Sequence, residues 1–224
     1  MTTPILLSWS GGKDSALALQ RLRNDPDWRV VGLLTAITRE YDRISIHGVR
    51  RSILHAQANS LGLALIEATI PPKASNEIYE AAFARALDQA SEYTPGLNTI
   101  AFGDLYLADV RAYRERLIET RNWKARFPLW GEDTSMLARR FIESGFRAIL
   151  CCVDTQQLDA GFCGLEFDAD LLARLPASCD PCGENGEFHT CVYAGPILRE
   201  AVHLQRADRV LRDDRFEYVD LKLL

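Results

Sequence analysis

Ser10-Gly11-Gly12-Lys13-Asp14-Ser15 lies between an apolar run and a helical pattern, and this placement constrains the fold more than any other feature. Pro4 to Trp9 reads as a short buried strand, and Leu17, Leu19 and Leu22 mark an apolar stripe on a helix from Ser15 to about Arg23. A glycine pair at a strand-to-helix turn lets the backbone come close to a phosphate, and the N–H groups opening the helix face that anion. Lys13 adds a mobile positive charge, and Ser10 and Ser15 add hydroxyl donors. Asp14 is a carboxylate among phosphate ligands, an arrangement that calls for a magnesium ion between the two. This is not the Walker pattern, since Asp14 stands where Ser or Thr belongs and Leu7 where the first glycine belongs.

Strand and helix patterns alternate through the first half. Val30 to Ala36 reads as a strand, Val49 to Leu61 as a helix stopped by Gly62, and Ala64 to Ile70 as a strand ended by Pro71-Pro72. Asn76 is placed to cap a helix running to about Ser91. Thr99 to Phe102 forms a fourth strand leading into Gly103-Asp104, followed by a charged helix from about Ala108 to Arg121. Four such units in a row predict an α/β, Rossmann-like parallel sheet with helices on both faces. Ligands of such sheets bind at the carboxyl ends of the strands, near the switch point. That gathers Ser10 to Ser15, Ala36-Ile37 and Gly103-Asp104 around one crevice.

The second half is less regular. Phe127 to Gly131 reads as a hinge, Thr134 as the cap of a helix ending at Ser144-Gly145, and Ala148 to Val153 as a strand. Loop residues rich in Pro, Cys and Gly precede a strand from Phe188 to Ala194, and the tail forms a hairpin around Asp213-Asp214. The division expected is residues 1–128 as a phosphate-binding domain and 129–224 as a smaller α+β domain.

A net charge of −5 argues against a large nucleic-acid footprint. Lysine is scarce (Lys13, Lys73, Lys124 and Lys222), which singles out the one in the glycine loop. No apolar stretch reaches membrane-span length and no signal core opens the chain, so a cytoplasmic setting with six reduced cysteines is expected.

Cys179-Asp180-Pro181-Cys182-Gly183-Glu184-Asn185-Gly186-Glu187-Phe188-His189-Thr190 is the second dense cluster. A solvated turn accounts for its Asp, Gly and Asn but not for Glu184, Glu187 and His189 together. Cys179, Cys182, His189 and Cys191 could supply four zinc ligands, although their spacing is not a usual structural zinc pattern. By composition, His47-Gly48-Val49-Arg50 is a helix-capping turn, and Arg111 and Arg114 fit a surface charge lattice equally well.

The glycine loop resembles the PP-loop of ATP pyrophosphatases, which cleave ATP between its α and β phosphates. Together with His47 to Arg50, Phe102-Gly103-Asp104, Arg111 with Arg114-Glu115, Phe127 to Trp130 and Gly183 to Thr190, the chain resembles the diphthine–ammonia ligase family. The resemblance implies a HUP-type ATP-binding domain joined to a smaller domain that carries an acceptor pocket. It implies ATP and Mg2+ as cofactors, with Ser10, Gly11, Gly12, Lys13, Asp14, Ser15, Ala36, Gly103 and Asp104 around the nucleotide and Asp14 near the metal. It raises His47 and Arg50, with Asn185 and Thr190, to substrate contacts. Lys13, Asp14, Glu184, Glu187 and His189 become the catalytic set. In family members of known activity, ATP activates a carboxylate on a translation elongation factor and ammonium displaces AMP. Here the acceptor is either such a factor or an unknown small molecule. The competing readings are a PP-loop enzyme that thiolates tRNA and a module that senses ATP without turnover.

Overall fold

The computed structural model describes residues 2–44 and 47–224. Strand β1 (Thr3–Ser8) sends Ile5 and Leu7 to one face and Leu6 to the other, the alternation that an extended backbone imposes. All three are buried, so both faces need cover. Helices α1 (Lys13–Asn24) and α2 (Arg51–Leu61) supply it on the first face, and α3 (Asn76–Tyr93) and α4 (Ala108–Glu119) on the second.

β2 (Trp28–Thr38) pairs parallel with β1, and a two-residue strand β3 (Arg43–Ile44) folds back antiparallel on the end of β2. β4 (Leu65–Ile70), β5 (Thr99–Ala101) and β6 (Lys124–Arg126) complete a parallel array in the order β4-β2-β1-β5-β6. Chain order reverses between β1 and β5, which is where an open sheet of this kind presents a ligand crevice.

A second, antiparallel sheet has the order β8-β7-β10-β9, from β7 (Arg147–Asp154), β8 (Phe188–Ala194), β9 (Leu204–Arg212) and β10 (Phe216–Leu223). Asp213 and Asp214 turn the β9–β10 hairpin with φ of 51° and 47°, the left-handed pair that a tight hairpin requires. Helices α5 (Thr134–Glu143) and α6 (Ala169–Arg174) accompany this sheet. Sheet membership changes between Arg126 and Arg147, yet one buried cluster runs from Ile5, Leu7 and Trp9 through α1 and α2 to Phe141, Ile149 and Phe188. The two halves therefore share a core. Among the described residues no helix is long and apolar enough to cross a membrane.

Two helix caps differ from the expected ones. Ser75, not Asn76, has the extended backbone of an N-cap and accepts from Ile78 N, while Asn76 is already helical. Asp133, not Thr134, caps α5 by accepting from Met136 N at 2.8 Å. Thr134 instead donates to Asp180 Oδ2 at 2.7 Å, tying α5 to the loop before β8.

Candidate active site

The loop after β1 is held from three sides. Gly11 has φ of 76°, and its carbonyl accepts from Val192 N at 2.8 Å and from Gln57 Nε2 at 3.1 Å. A side chain on Gly12 would bring its Cβ within 3.0 Å of the Thr190 carbonyl oxygen, so β8 presses directly on this turn. Gly103, leaving β5, would place a Cβ 3.1 Å from the backbone of Asp14 and Ser15. The lack of a side chain at these glycines lets the three segments approach closely at the N-terminus of α1. Within the loop, Ser10 Oγ accepts from Gly12 N at 3.3 Å, and Ser15 Oγ donates to the Gly12 carbonyl at 2.9 Å.

A cleft of about 320 Å³ opens over this junction. Its walls include Ser10, Lys13, Asp14 and Ser15 from the loop and α1, Gly103, Asp104 and Arg114 from the β5–α4 side, and Glu184, His189 and Thr190 from the second sheet's approach. His47 also reaches it. The sequence motifs of the two halves thus converge on one cavity. Ala36, Arg50, Asn185 and Glu187 are not among the described residues lining it, and each has a different situation. Ala36 lies two residues before the carboxyl end of β2. Arg50 forms a bidentate pair with Asp220, at 2.9 and 2.7 Å, which Arg43 joins at 2.7 Å. Asn185 is exposed, and its Oδ1 accepts from Tyr106 Oη at 3.0 Å. Glu187 is 1% exposed, and its Oε1 accepts from Asp180 N at 2.8 Å and Asn185 Nδ2 at 3.1 Å.

Electrostatics differ sharply from wall to wall. Lys13 is buried, its Nζ donating to both Asp14 carboxylate oxygens (2.9 and 2.8 Å) and to the Cys182 carbonyl. Burial works against the ammonium charge, but Asp14, helped by Cys182 and Glu184, outweighs it and raises its pKa. Glu184 accepts from Leu105 N at 2.8 Å and Tyr106 N at 3.4 Å, which ties the loop after β5 to the loop before β8. Burial, reinforced by Asp14, lifts its carboxyl to about 7. His47 and His189 stack with ring centroids 4.4 Å apart. Burial first, then the charge of Lys13, drives His47 down to about 4, and burial, then His47 and Lys13, drives His189 well below its ordinary value, so both imidazoles are neutral at pH 7.

Arg114 is a cleft residue that the residue pattern alone left on a surface lattice. Its partner Arg111 does take the surface role, pairing with Glu115 at 3.0 Å and stacking over Phe127 and Trp130. A three-residue spacing places both on neighbouring faces of α4, and only the direction of the helix past β5 decides which enters the cleft. Gln57 was also not singled out. It is fully buried, accepts from Trp9 Nε1 at 3.0 Å and donates to Val192 O at 2.6 Å.

Among the described residues, four buried side-chain polar atoms lack a hydrogen-bond partner: Thr35 Oγ1, His47 Nδ1, Arg114 Nε and Glu187 Oε2. Three of the four belong to residues at the cleft or directly behind its wall, a pattern that fits a polar ligand. Asp14, Asp104 and Glu184 offer hard oxygen donors of the kind magnesium takes. The described residues hold no cluster of three or more His, Cys, Asp or Glu placed for a metal, so such an ion would take much of its shell from phosphate. Cys179 and Cys182 are thiols that donate to the carbonyls of Asp180 and Thr134. Burial pushes both up to about 12, which keeps them protonated.

Comparison with known proteins gives two family matches. The diphthamide synthase N-terminal domain matches residues 3–124, and the diphthamide synthase C-terminal domain matches residues 133–222. No curated protein matches the chain.

Proposed function

Because the chain belongs to the diphthamide synthase family, and so has an ATP-using role in diphthamide biosynthesis, we propose that it is an AMP-forming amide ligase. It adenylates a carboxylate and then amidates it with ammonia. The observation that carries this reading is the meeting of two chemistries in one cleft. A glycine loop with Lys13 and Asp14 at a helix N-terminus faces Glu184, a carboxyl whose pKa lies at about 7.

A carboxylate resists attack by nitrogen because its oxygen leaves badly. Adenylation solves this: a carboxylate oxygen attacks the α-phosphorus, the bond to the bridging oxygen breaks, and pyrophosphate departs. The first-turn amides of α1, Lys13 and the Ser10 and Ser15 hydroxyls would bind the phosphates and stabilise the charge that leaves. Asp14 and Asp104 would hold magnesium, which when bound neutralises phosphate charge. Glu184, half ionised near neutrality, attracts ammonium and takes the proton that frees its lone pair. Ammonia then attacks the acyl carbon and AMP leaves. Glu187 positions this apparatus, since one carboxylate oxygen holds the 180–185 turn and the other remains without a partner. His189 stays neutral against His47 and, with Thr190, which accepts from Lys13 N at 3.0 Å, shapes the phosphate loop. Two protonated thiols do not suit a sulfur-transfer enzyme, which needs a thiolate.

The test is ammonium-dependent amide formation followed across pH. The amide-forming rate is expected to rise through pH 7 as Glu184 ionises, and Glu184→Gln to remove that rise. Full amide synthesis in both Glu184→Gln and Glu187→Gln would refute the acidic pair's role.

A further inference from the structure

We infer that Arg114 is the residue that captures the pyrophosphate end of the nucleotide, on a platform made by Phe102 and Tyr79. The inference rests on the ATP-using reading above and adds a residue and a role to it.

The argument begins with what each cation in the cleft has left to offer. An ammonium group has three donors, and Lys13 directs its own at two Asp14 oxygens and the Cys182 carbonyl, so it meets a phosphate with its charge rather than with a spare donor. His47 and His189 carry no charge at pH 7. Arg114 has five N–H donors. Its Nη1 reaches Tyr79 Oη at 3.2 Å, while its buried Nε has no hydrogen-bond partner. The nearest anion is Asp104 Oδ2, 3.7 Å from Nε, which is an ion-pair distance but too long for a hydrogen bond. The guanidinium is therefore fixed in place, charged, and short of acceptors.

Its surroundings fix its aim. The guanidinium carbon sits 5.2 Å from the Phe102 ring centroid, flat support that suits a planar cation. Phe102 and Asp104 flank Gly103, the residue pressed against the first turn of α1. Arg114 thus faces the same space as the helix N-terminus, from the other side of the switch point between β1 and β5. A planar fork matches the paired oxygens of a phosphate better than an ammonium does. Pyrophosphate is the fragment of ATP with the greatest charge, and the lining carboxylates Asp14, Asp104 and Glu184 already outnumber the two lining cations. A polyphosphate entering this cleft needs Arg114 far more than a nucleoside monophosphate does.

The experiment measures binding of magnesium-ATP, magnesium-pyrophosphate and AMP to the full-length protein by titration calorimetry. Arg114→Lys is expected to weaken ATP and pyrophosphate by about tenfold or more, the value of one charge-assisted hydrogen bond. AMP should change by less than about twofold. Arg114→Ala should lose at least as much, with partial recovery of pyrophosphate binding on adding millimolar guanidinium, a rescue that a merely structural role would not give. Tyr79→Phe, which only loosens the platform, should show a smaller loss with the same preference for pyrophosphate over AMP. Equal losses for AMP and pyrophosphate, or unchanged pyrophosphate binding in Arg114→Lys, would overturn the inference. Failure of the protein to bind ATP and pyrophosphate at all would overturn both this and the ATP-using reading. Failure to form an amide with the binding pattern intact would overturn only the ligation chemistry.

Discussion

His47 shows how one side chain can link the site to stability. Its half-buried ring lies between the phosphate loop and His189, with Cε1 3.3 Å from where a Cβ on Gly12 would sit. Burial holds its pKa near 4, against about 6.5 in an unfolded chain. Between those two values the unfolded chain binds a proton that the folded one refuses, so stability rises with pH across this window and is lost as pH falls. The shift corresponds to about 3 kcal/mol from this residue by pH 4. Denaturant unfolding at pH 7 and 4.5 should show His47→Gln losing about 2 kcal/mol less than the parent over that interval. Parallel losses in the two proteins would contradict the assignment. The charge beside the ring matters too: Lys13 opposes a second positive charge there.

At the level of elements, Gln57 is the pin between α2, the phosphate loop and β8. Its amide satisfies Trp9 Nε1, the Gly11 carbonyl and the Val192 carbonyl at once, in a position with no solvent exposure. Gln57→Leu keeps the volume but strands a buried donor and leaves two carbonyls short of a partner. A loss of about 3 kcal/mol is expected, read as a lower denaturant midpoint. Unchanged stability would mean that water replaces the amide. Such a pin was not legible in the sequence, because a glutamine within a helix pattern looks like a solvated position until its tertiary neighbours are known. The elements themselves were more legible where patterns are long. The strands at β1, β2, β4 and β8 and helices α1 to α5 declare themselves by alternation, helical spacing and breakers such as Gly62 and Pro71-Pro72. β6 (Lys-Ala-Arg) and the six-residue α6 are too short to express a period, and β6 pairs only because β5 offers it an edge. The site was legible as two motifs, Ser10 to Ser15 and Gly183 to Thr190. Their meeting depends on Thr190 and Val192 bonding to Lys13 and Gly11, contacts that span most of the chain.

For the whole molecule, the two sheets are joined by one core rather than by a thin linker alone. Residues 3–126 build the parallel sheet, but its first face is buried against Phe141, Ile149, Leu150 and Phe188 from the second half. We propose the 1–128 and 129–224 division as one of topology and not of independent folding. Calorimetry of the full chain should therefore give one cooperative transition, and two separable transitions would contradict the shared core. The same junction creates the cleft, which no single half encloses. The account stands most directly on the fate of ATP there. The protein is incubated with magnesium, ATP and ammonium, with and without a cytosolic extract to supply the acceptor, and the adenine nucleotides are resolved. The account predicts AMP and pyrophosphate, formed with the extract and abolished in Asp14→Ala; ADP and phosphate would contradict it.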